Sequence, residues 1–169
     1  MPQKFITLVS GNFKEVEGLV VSAGAGDSGK LPALDAAGKL DTSVMPTGIG
    51  ADTKALTASE NLAAGDLVNV WNDTGTVKVR KADATSPSKR AHGFVLSSVS
   101  SAATATVYFE GTITGLSSLT LGATYFLGTT AGAATATATT TAGHIVQQVG
   151  VAISATELSF EPQQPVELA

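Results

Sequence analysis

Three features of the sequence predict an all-β fold. From Lys54 onward polar and apolar residues alternate with a period of two, and turn residues interrupt that alternation at the short intervals of a meander or barrel. No stretch of ten or more residues carries the 3.6-residue period of an amphipathic helix, although Ser59 to Ala64 has the makings of one helical turn. The expected architecture is an extended amino-terminal arm over residues 1–52, a compact antiparallel β-barrel or β-sandwich domain over residues 53–162, and a carboxy-terminal tail over residues 163–169.

Within the arm, Lys4 to Val9 alternates weakly, Gly11 to Gly18 is bounded by glycine at both ends, and Leu19-Val20-Val21 is a short apolar run. Two short strands are expected there, too few to stand alone, since an isolated hairpin is marginal in water. Ser22 to Gly29 has the composition of a flexible linker. The stretch Gly29 to Pro46 repeats itself, Gly29-Lys30-Leu31 returning as Gly38-Lys39-Leu40. Its glycines permit turns with positive φ, and its prolines bias Leu31 and Met45 toward extended conformations, so no long helix runs through it. Leu31, Leu34, Leu40, Val44 and Met45 are apolar in a segment too short to bury them, which points to another surface or another chain as their cover. Thr47 to Asp52 forms a second glycine-rich joint.

In the domain, Asp66 to Trp71 and Thr76 to Arg80 flank Asn72-Asp73-Thr74-Gly75 and read as a hairpin, with Val77 and Val79 on one face. Ala84 to Lys89 is a loop; His92 to Val99 and Thr104 to Thr114 are strands, the second placing Ala105, Val107, Phe109 and Ile113 on one face. Ala123 to Leu127 is a short strand with Tyr125 and Phe126 on opposite faces. Gly128 to Gly143 contains an Ala/Thr alternation, Ala134 to Thr140, which fits either a strand of small side chains or a glycine-flanked loop. Ile145 to Ile153 resumes strand character, Ser154-Ala155-Thr156 turns it, and Leu158 and Phe160 face inward in Glu157 to Glu161.

Composition narrows the function. The apolar fraction is mostly Ala and Val, aromatics are 5%, and glycine fills 18 of 169 positions, so the core is thin. Each buried CH₂ contributes on the order of 0.8 kcal/mol, so such strands gain from close neighbours, and oligomerisation would supply them. Ten basic against fourteen acidic residues leave a net charge of −4 with no dense basic cluster beyond Lys78, Arg80, Lys81 and Lys89, Arg90, which argues against nucleic acid as a ligand. The absence of cysteine removes disulfides, thiolate metal sites and cysteine nucleophiles together. No run approaches the ~18 apolar residues that span a bilayer, and the start lacks a secretion signal, so the expectation is a soluble, unsecreted product with no membrane partner.

Catalytic chemistry is sparse. His92 and His144, the only histidines, each adjoin a glycine and lack a carboxylate or nucleophile elbow at triad spacing; the plainer reading is a strand-edge residue. Glu110 and Glu157 are the strand-borne acids that a glycan hydrolase would need to pair. Asp27, Asp35 and Asp41 offer oxygens to Ca²⁺ but lack the alternating carboxylates of a calcium loop, so turn-forming roles fit better. Gly24-Ala25-Gly26 and Gly48-Ile49-Gly50 lack the strand-to-helix setting of a phosphate cradle. Trp71, Tyr108, Tyr125 and Phe126 are the side chains from which a glycan-binding platform would be built, against a competing need for them in the core. Lys78, Arg80 and Lys81 are either a solvated strand face or a contact for an acidic partner. No catalytic, cofactor-binding or metal-binding residue is expected.

The sequence resembles tailed-bacteriophage structural proteins in two places. Gly29-Lys30-Leu31-Pro32-Ala33-Leu34-Asp35-Ala36-Ala37-Gly38-Lys39-Leu40-Asp41 looks like a motif near the amino termini of phage fibre and head-decoration proteins. The domain carries the second, in Ala58-Ser59-Glu60, Ala64-Gly65-Asp66-Leu67-Val68-Asn69-Val70, His92-Gly93-Phe94-Val95-Leu96, Val107-Tyr108-Phe109-Glu110-Gly111, Leu121-Gly122-Ala123-Thr124-Tyr125-Phe126-Leu127, Ala142-Gly143-His144-Ile145-Val146-Gln147 and Ala155-Thr156-Glu157-Leu158. The resemblance implies a virion surface protein, often homotrimeric, in which the arm docks on the major capsid protein and the β-domain faces outward. The residues expected at capsid or inter-subunit contacts are Leu31, Leu34, Leu40, Val44 and Met45. Length and the low aromatic count favour a capsid decoration, or cement, protein; a head or tail fibre or adaptor for host attachment, with a host-surface glycan as ligand, is the alternative.

Overall fold

The computed structural model describes residues 3–45 and 51–169, and the chain divides into two compact units, Met1–Gly50 and Ala51–Ala169. The protein is all-β, 39% strand and 6% helical, and among the described residues the helical part consists of single 3-10 turns at Ala25–Asp27, Thr42–Val44 and Pro87–Lys89. Ser59 to Ala64 forms no helical turn; Leu62 instead bridges Val99. The joint expected at Thr47 to Asp52 lies mostly outside the described residues, as does Pro46.

In the first unit, β1 (Lys4–Val9) and β2 (Asn12–Glu17) form an antiparallel hairpin. Ser10 and Gly11, at φ 51° and 78°, make the two-residue loop whose handedness suits the twist of paired strands. Past β2, the Leu19 N–H donates to the Leu31 carbonyl at 2.9 Å and the Ala33 N–H to the Leu19 carbonyl at 2.8 Å, which folds the repeat segment back along residues 18–20. A side chain at Gly18 would stand 2.7 Å from the Ala33 methyl, so this close approach requires glycine. Gly29 and Gly38 both turn the chain at positive φ, 80° and 74°.

In the second unit, β3 (Thr53–Ala58), β4 (Leu67–Asp73), β5 (Thr76–Lys81), β6 (Gly93–Phe94) and β7 (Thr104–Tyr108) close into a barrel of order β3-β5-β4-β6-β7. All its pairings are antiparallel except β3 with β5. The β4–β5 turn is tighter than the four residues expected. Asn72 and Asp73 stay in the ladder, and Thr74 and Gly75 alone make the loop at φ 50° and 92°. Five strands enclose a narrow interior, and Ala58, Leu62, Val68, Val79, Val95, Ala105 and Val107 fill it. The Ala/Val-rich composition is thus what this barrel interior accepts. Val77, on the same face as Val79, lies beyond the barrel end and is exposed.

A five-stranded antiparallel sheet packs on the barrel, in the order β10 (Ala134–Thr135), β9 (Thr124–Leu127), β12 (Gln148–Ala152), β13 (Leu158–Phe160), β8 (Gly111–Ile113). Between them lies the larger core, where Phe94 stacks on Tyr108 at 5.5 Å and meets Phe160 edge-on at 5.3 Å, with Leu67, Ile113, Leu127, Ile145, Val149 and Leu158 around them.

Three expected strands are interrupted. Thr104 to Thr114 bends at Phe109-Glu110 and Gly111 (φ 115°), so β7 belongs to the barrel and β8 to the sheet. His92 to Val99 pairs as a strand only over Gly93–Phe94, where a Cβ on Gly93 would meet the Tyr108 carbonyl at 2.5 Å. Ile145 to Ile153 divides at Gln147 into β11 (Ile145–Val146) and β12. Within residues 163–169, β14 (Val166–Glu167) pairs with β11, which gives that short strand its only ladder partner among the described residues. Of the Ala/Thr alternation, only Ala134–Thr135 is strand; threonine hydroxyls cap the backbone beyond it, Thr135 Oγ1 accepting from the Thr137 N–H and Thr139 Oγ1 from the Thr141 N–H.

Candidate functional site

Leu31, Leu34, Leu40 and Met45 are exposed in the first unit, and Val44 is half-buried. Val44 and Met45 come together with Leu19, Ala25 and Pro32 along a groove of about 420 Å³, which Leu31, Leu34 and Leu40 do not line. The hairpin supplies a larger apolar face that the sequence reading missed. Register sets Leu8 opposite Phe13 and Ile6 opposite Glu15, and the side-chain period of two places Ile6, Leu8 and Phe13 on one side. Phe13 is 83% exposed, Ile6 72% and Leu8 63%. Their signal was present in the alternation of Lys4 to Val9 and in the Ser10-Gly11 turn, which together fix the register.

The aspartates of this unit hold turns. Asp27 accepts the Ala23 N–H and the Lys30 ammonium, both at 2.6 Å; Asp35 accepts the Ala37 and Lys39 N–H groups at 2.8 and 2.9 Å; Asp41 caps Thr42–Val44 through the Ser43 N–H at 2.9 Å. Lys30 and the Ala23 N–H hold the Asp27 carboxyl below the usual carboxylate range, and the Ser43 hydrogen bonds do the same for Asp41. Among the described residues no three His, Asp or Glu side chains gather into a metal-binding group.

In the second unit, antiparallel β8–β13 pairing, with Gly111 opposite Phe160 and Ile113 opposite Leu158, sets Glu110 and Glu157 at opposite ends of the ladder. Four positions at ~3.4 Å each separate them by roughly 13 Å, beyond the ~5–9.5 Å of paired glycosidase carboxylates. Glu110 instead shares with Glu161 a recess of about 410 Å³. The aromatic residues do not collect into a platform: Tyr125 is buried with its hydroxyl accepting the Thr120 N–H, Tyr108 stacks on Phe94, and Trp71 lies beneath the Arg80 guanidinium. His144 contacts the Thr139 hydroxyl at 3.1 Å in a groove of about 640 Å³ lined by Thr129, Thr130, Thr135 and Thr137.

His92 is half-buried. Its Nδ1 accepts the Val70 N–H at 3.0 Å, and its Nε2 faces Arg90 Nε at 2.9 Å. Burial and the Arg90 charge both push its pKa below the ordinary histidine value. Beside it, the buried Gln147 side chain spans Ala91, accepting its N–H at 2.8 Å and donating to its carbonyl at 2.9 Å, and donates also to the Gln163 carbonyl at 3.1 Å. These contacts hold the entry to β6 against the sheet.

No protein-family model matches the chain, and no curated protein matches it significantly. The site's geometry and the sequence resemblance therefore carry the functional reading.

Proposed function

We propose that the chain is a structural protein of a tailed-bacteriophage particle that decorates and reinforces the capsid surface as a homotrimer. In this reading the amino-terminal unit docks on the major capsid protein and the β-domain is displayed outward. The observation that carries the proposal is the exposure of Ile6, Leu8, Phe13, Leu31, Leu34, Leu40 and Met45 within a stretch of about forty residues. Three of them, Ile6, Leu8 and Phe13, share one face of the hairpin, and exposed apolar surface of this kind marks interaction sites. Both strands of the hairpin also present a free ladder edge among the described residues, open to strand addition by a partner. Three linked copies of such a unit multiply affinity by roughly 10² to 10⁴ when all engage together.

Three measurements test this. Sedimentation should find a trimer at micromolar concentration, and a stable monomer overturns that part. Particle labelling should place the protein on the capsid; label confined to the tail overturns decoration and supports the fibre or adaptor reading. Removing residues 1–50 should abolish capsid binding, and retained binding would move the docking surface to the β-domain.

A further inference from the structure

Basic side chains cluster on β5 and the loop after it, and the lysines and arginines there are treated differently. Lys78, Lys81 and Lys89 are each paired with an aspartate, Asp73, Asp66 and Asp83, at 2.8, 3.0 and 2.9 Å. Among the described residues, Arg80 and Arg90 have no carboxylate within 4 Å. In a chain of net charge −4, the three lysines are neutralised and the two arginines are not.

Both arginines are built into one framework. Arg80 Nε donates to Asn69 Oδ1 at 3.0 Å, its Nη2 to the Ser88 carbonyl at 2.9 Å, and its guanidinium lies 4.6 Å above the Trp71 ring. Asn69, 1% exposed, uses its Nδ2 to donate to the Arg90 carbonyl at 2.8 Å, and that nitrogen also stands 3.3 Å from His92 Nδ1. A buried amide thus sets the Arg80 head group and the Arg90 backbone together. The Arg90 side chain is exposed and rests on His92.

That last contact is unsatisfied. A neutral imidazole has one bare nitrogen. Val70 takes it at Nδ1, which leaves the ring hydrogen on Nε2, pointing at the hydrogen of Arg90 Nε. Arg90 is the exposed partner, so it is the one to swing away when a true acceptor arrives. A carboxylate is such an acceptor, because its two oxygens match the planar fork of a guanidinium.

We propose that Arg80, seated on Trp71, and Arg90 form a site for carboxylates on an acidic segment of a partner protein. Two unneutralised guanidiniums on an otherwise acidic chain suit a few discrete carboxylates better than a phosphodiester backbone, which calls for a longer basic track. No residue of the first unit takes part, so the failure of this proposal leaves the amino-terminal docking reading intact.

Trp71 is the only tryptophan, so the intrinsic fluorescence of the full chain reads this site directly. Titration with a hexaglutamate peptide at low salt should give a saturable change in emission that weakens as salt rises. Arg90→Gln, at an exposed position, should lower the affinity about tenfold, and Arg80→Lys, which keeps the charge and loses the fork, by a similar factor. Lys54→Gln, an exposed lysine on β3, should bind as the parent does. The absence of a saturable change, an unaltered affinity in Arg90→Gln, or tighter binding of a ten-residue oligothymidine than of hexaglutamate each overturns the proposal.

Discussion

The two units of this chain handle apolar side chains in opposite ways. In the second, Phe94 is 1% exposed between two other aromatic rings, and both cores are filled by residues at a few per cent exposure or less. In the first, Phe13 is 83% exposed on a hairpin, and among the described residues of that unit only Ala33 counts as a buried hydrophobic. Similar strand chemistry therefore yields a self-sufficient fold in one region and an uncovered surface in the other. The difference lies in closure. A barrel capped by a sheet leaves few strand faces to solvent, whereas the two-stranded hairpin keeps one face, with Phe5 and Val16, half-buried and leaves the other, with Ile6, Leu8 and Phe13, open.

One pair of substitutions tests this contrast most strongly. Phe94→Ala should lower the unfolding free energy by about 3–5 kcal/mol, the range for emptying an aromatic site in a packed core. Phe13→Ala should change it by under about 0.5 kcal/mol, as exposed positions do, while weakening particle binding. Urea denaturation followed by circular dichroism measures both, and comparable losses would erase the distinction between the units. A polar pair sharpens the same point. Gln147→Leu strands the buried N–H and carbonyl of Ala91 and should cost about 2–4 kcal/mol; Gln3→Leu, at an exposed position of the first unit, should leave the midpoint unchanged.

Much of the second unit was legible because its signals are local. The Asn72-to-Gly75 turn with its flanking alternation predicts the β4–β5 hairpin, and Leu158 and Phe160 face inward as their spacing requires. What escaped depends on partners far away in sequence. The parallel β3–β5 contact that closes the barrel, the split at Gly111 and the pairing of Val166–Glu167 with Ile145–Val146 have no local signature. The same division runs through the sites. Leu31, Leu34 and Leu40 stand out in a repeat, but that Ile6, Leu8 and Phe13 are exposed depends on what packs against their face of the hairpin, which no local signal carries. Arg80 and Arg90 are ten positions apart, and Asn69, which joins them, has an unremarkable place in the sequence.

A smaller effect separates the units energetically. Gly18→Ala forces a methyl to 2.7 Å from that of Ala33, at the joint between the hairpin and the repeat segment. Ala33 is on backbone fixed to Leu19, so neither side yields easily. We expect a loss of roughly 1–3 kcal/mol confined to the first unit, the scale of overpacking. Limited proteolysis should then cut residues 3–45 faster while the main unfolding transition of the second unit stays in place; a shift of that transition would show that the units fold as one.

The smallest expected effect is a pH dependence carried by His92. Its folded pKa is depressed, so as pH falls the unfolded chain takes up the proton first, near the ordinary value of ~6.5, and the folded state loses relative stability until its own lower pKa is passed. The groups facing the ring reinforce this sign: Arg90 from its own segment is a cation, the Val70 N–H from β4 needs the bare nitrogen, and Arg80 from β5 is linked through Asn69. The carboxyls with depressed pKa, Asp27, Asp41 and Asp83, are held below an ordinary value of 3.8, so their losses fall at more acidic pH. Between pH 7.5 and 5.5 the melting temperature of the second unit should therefore drop, and the drop should shrink in His92→Asn, whose side-chain oxygen can accept the Val70 N–H without titrating. An equal drop in the variant would assign the dependence elsewhere.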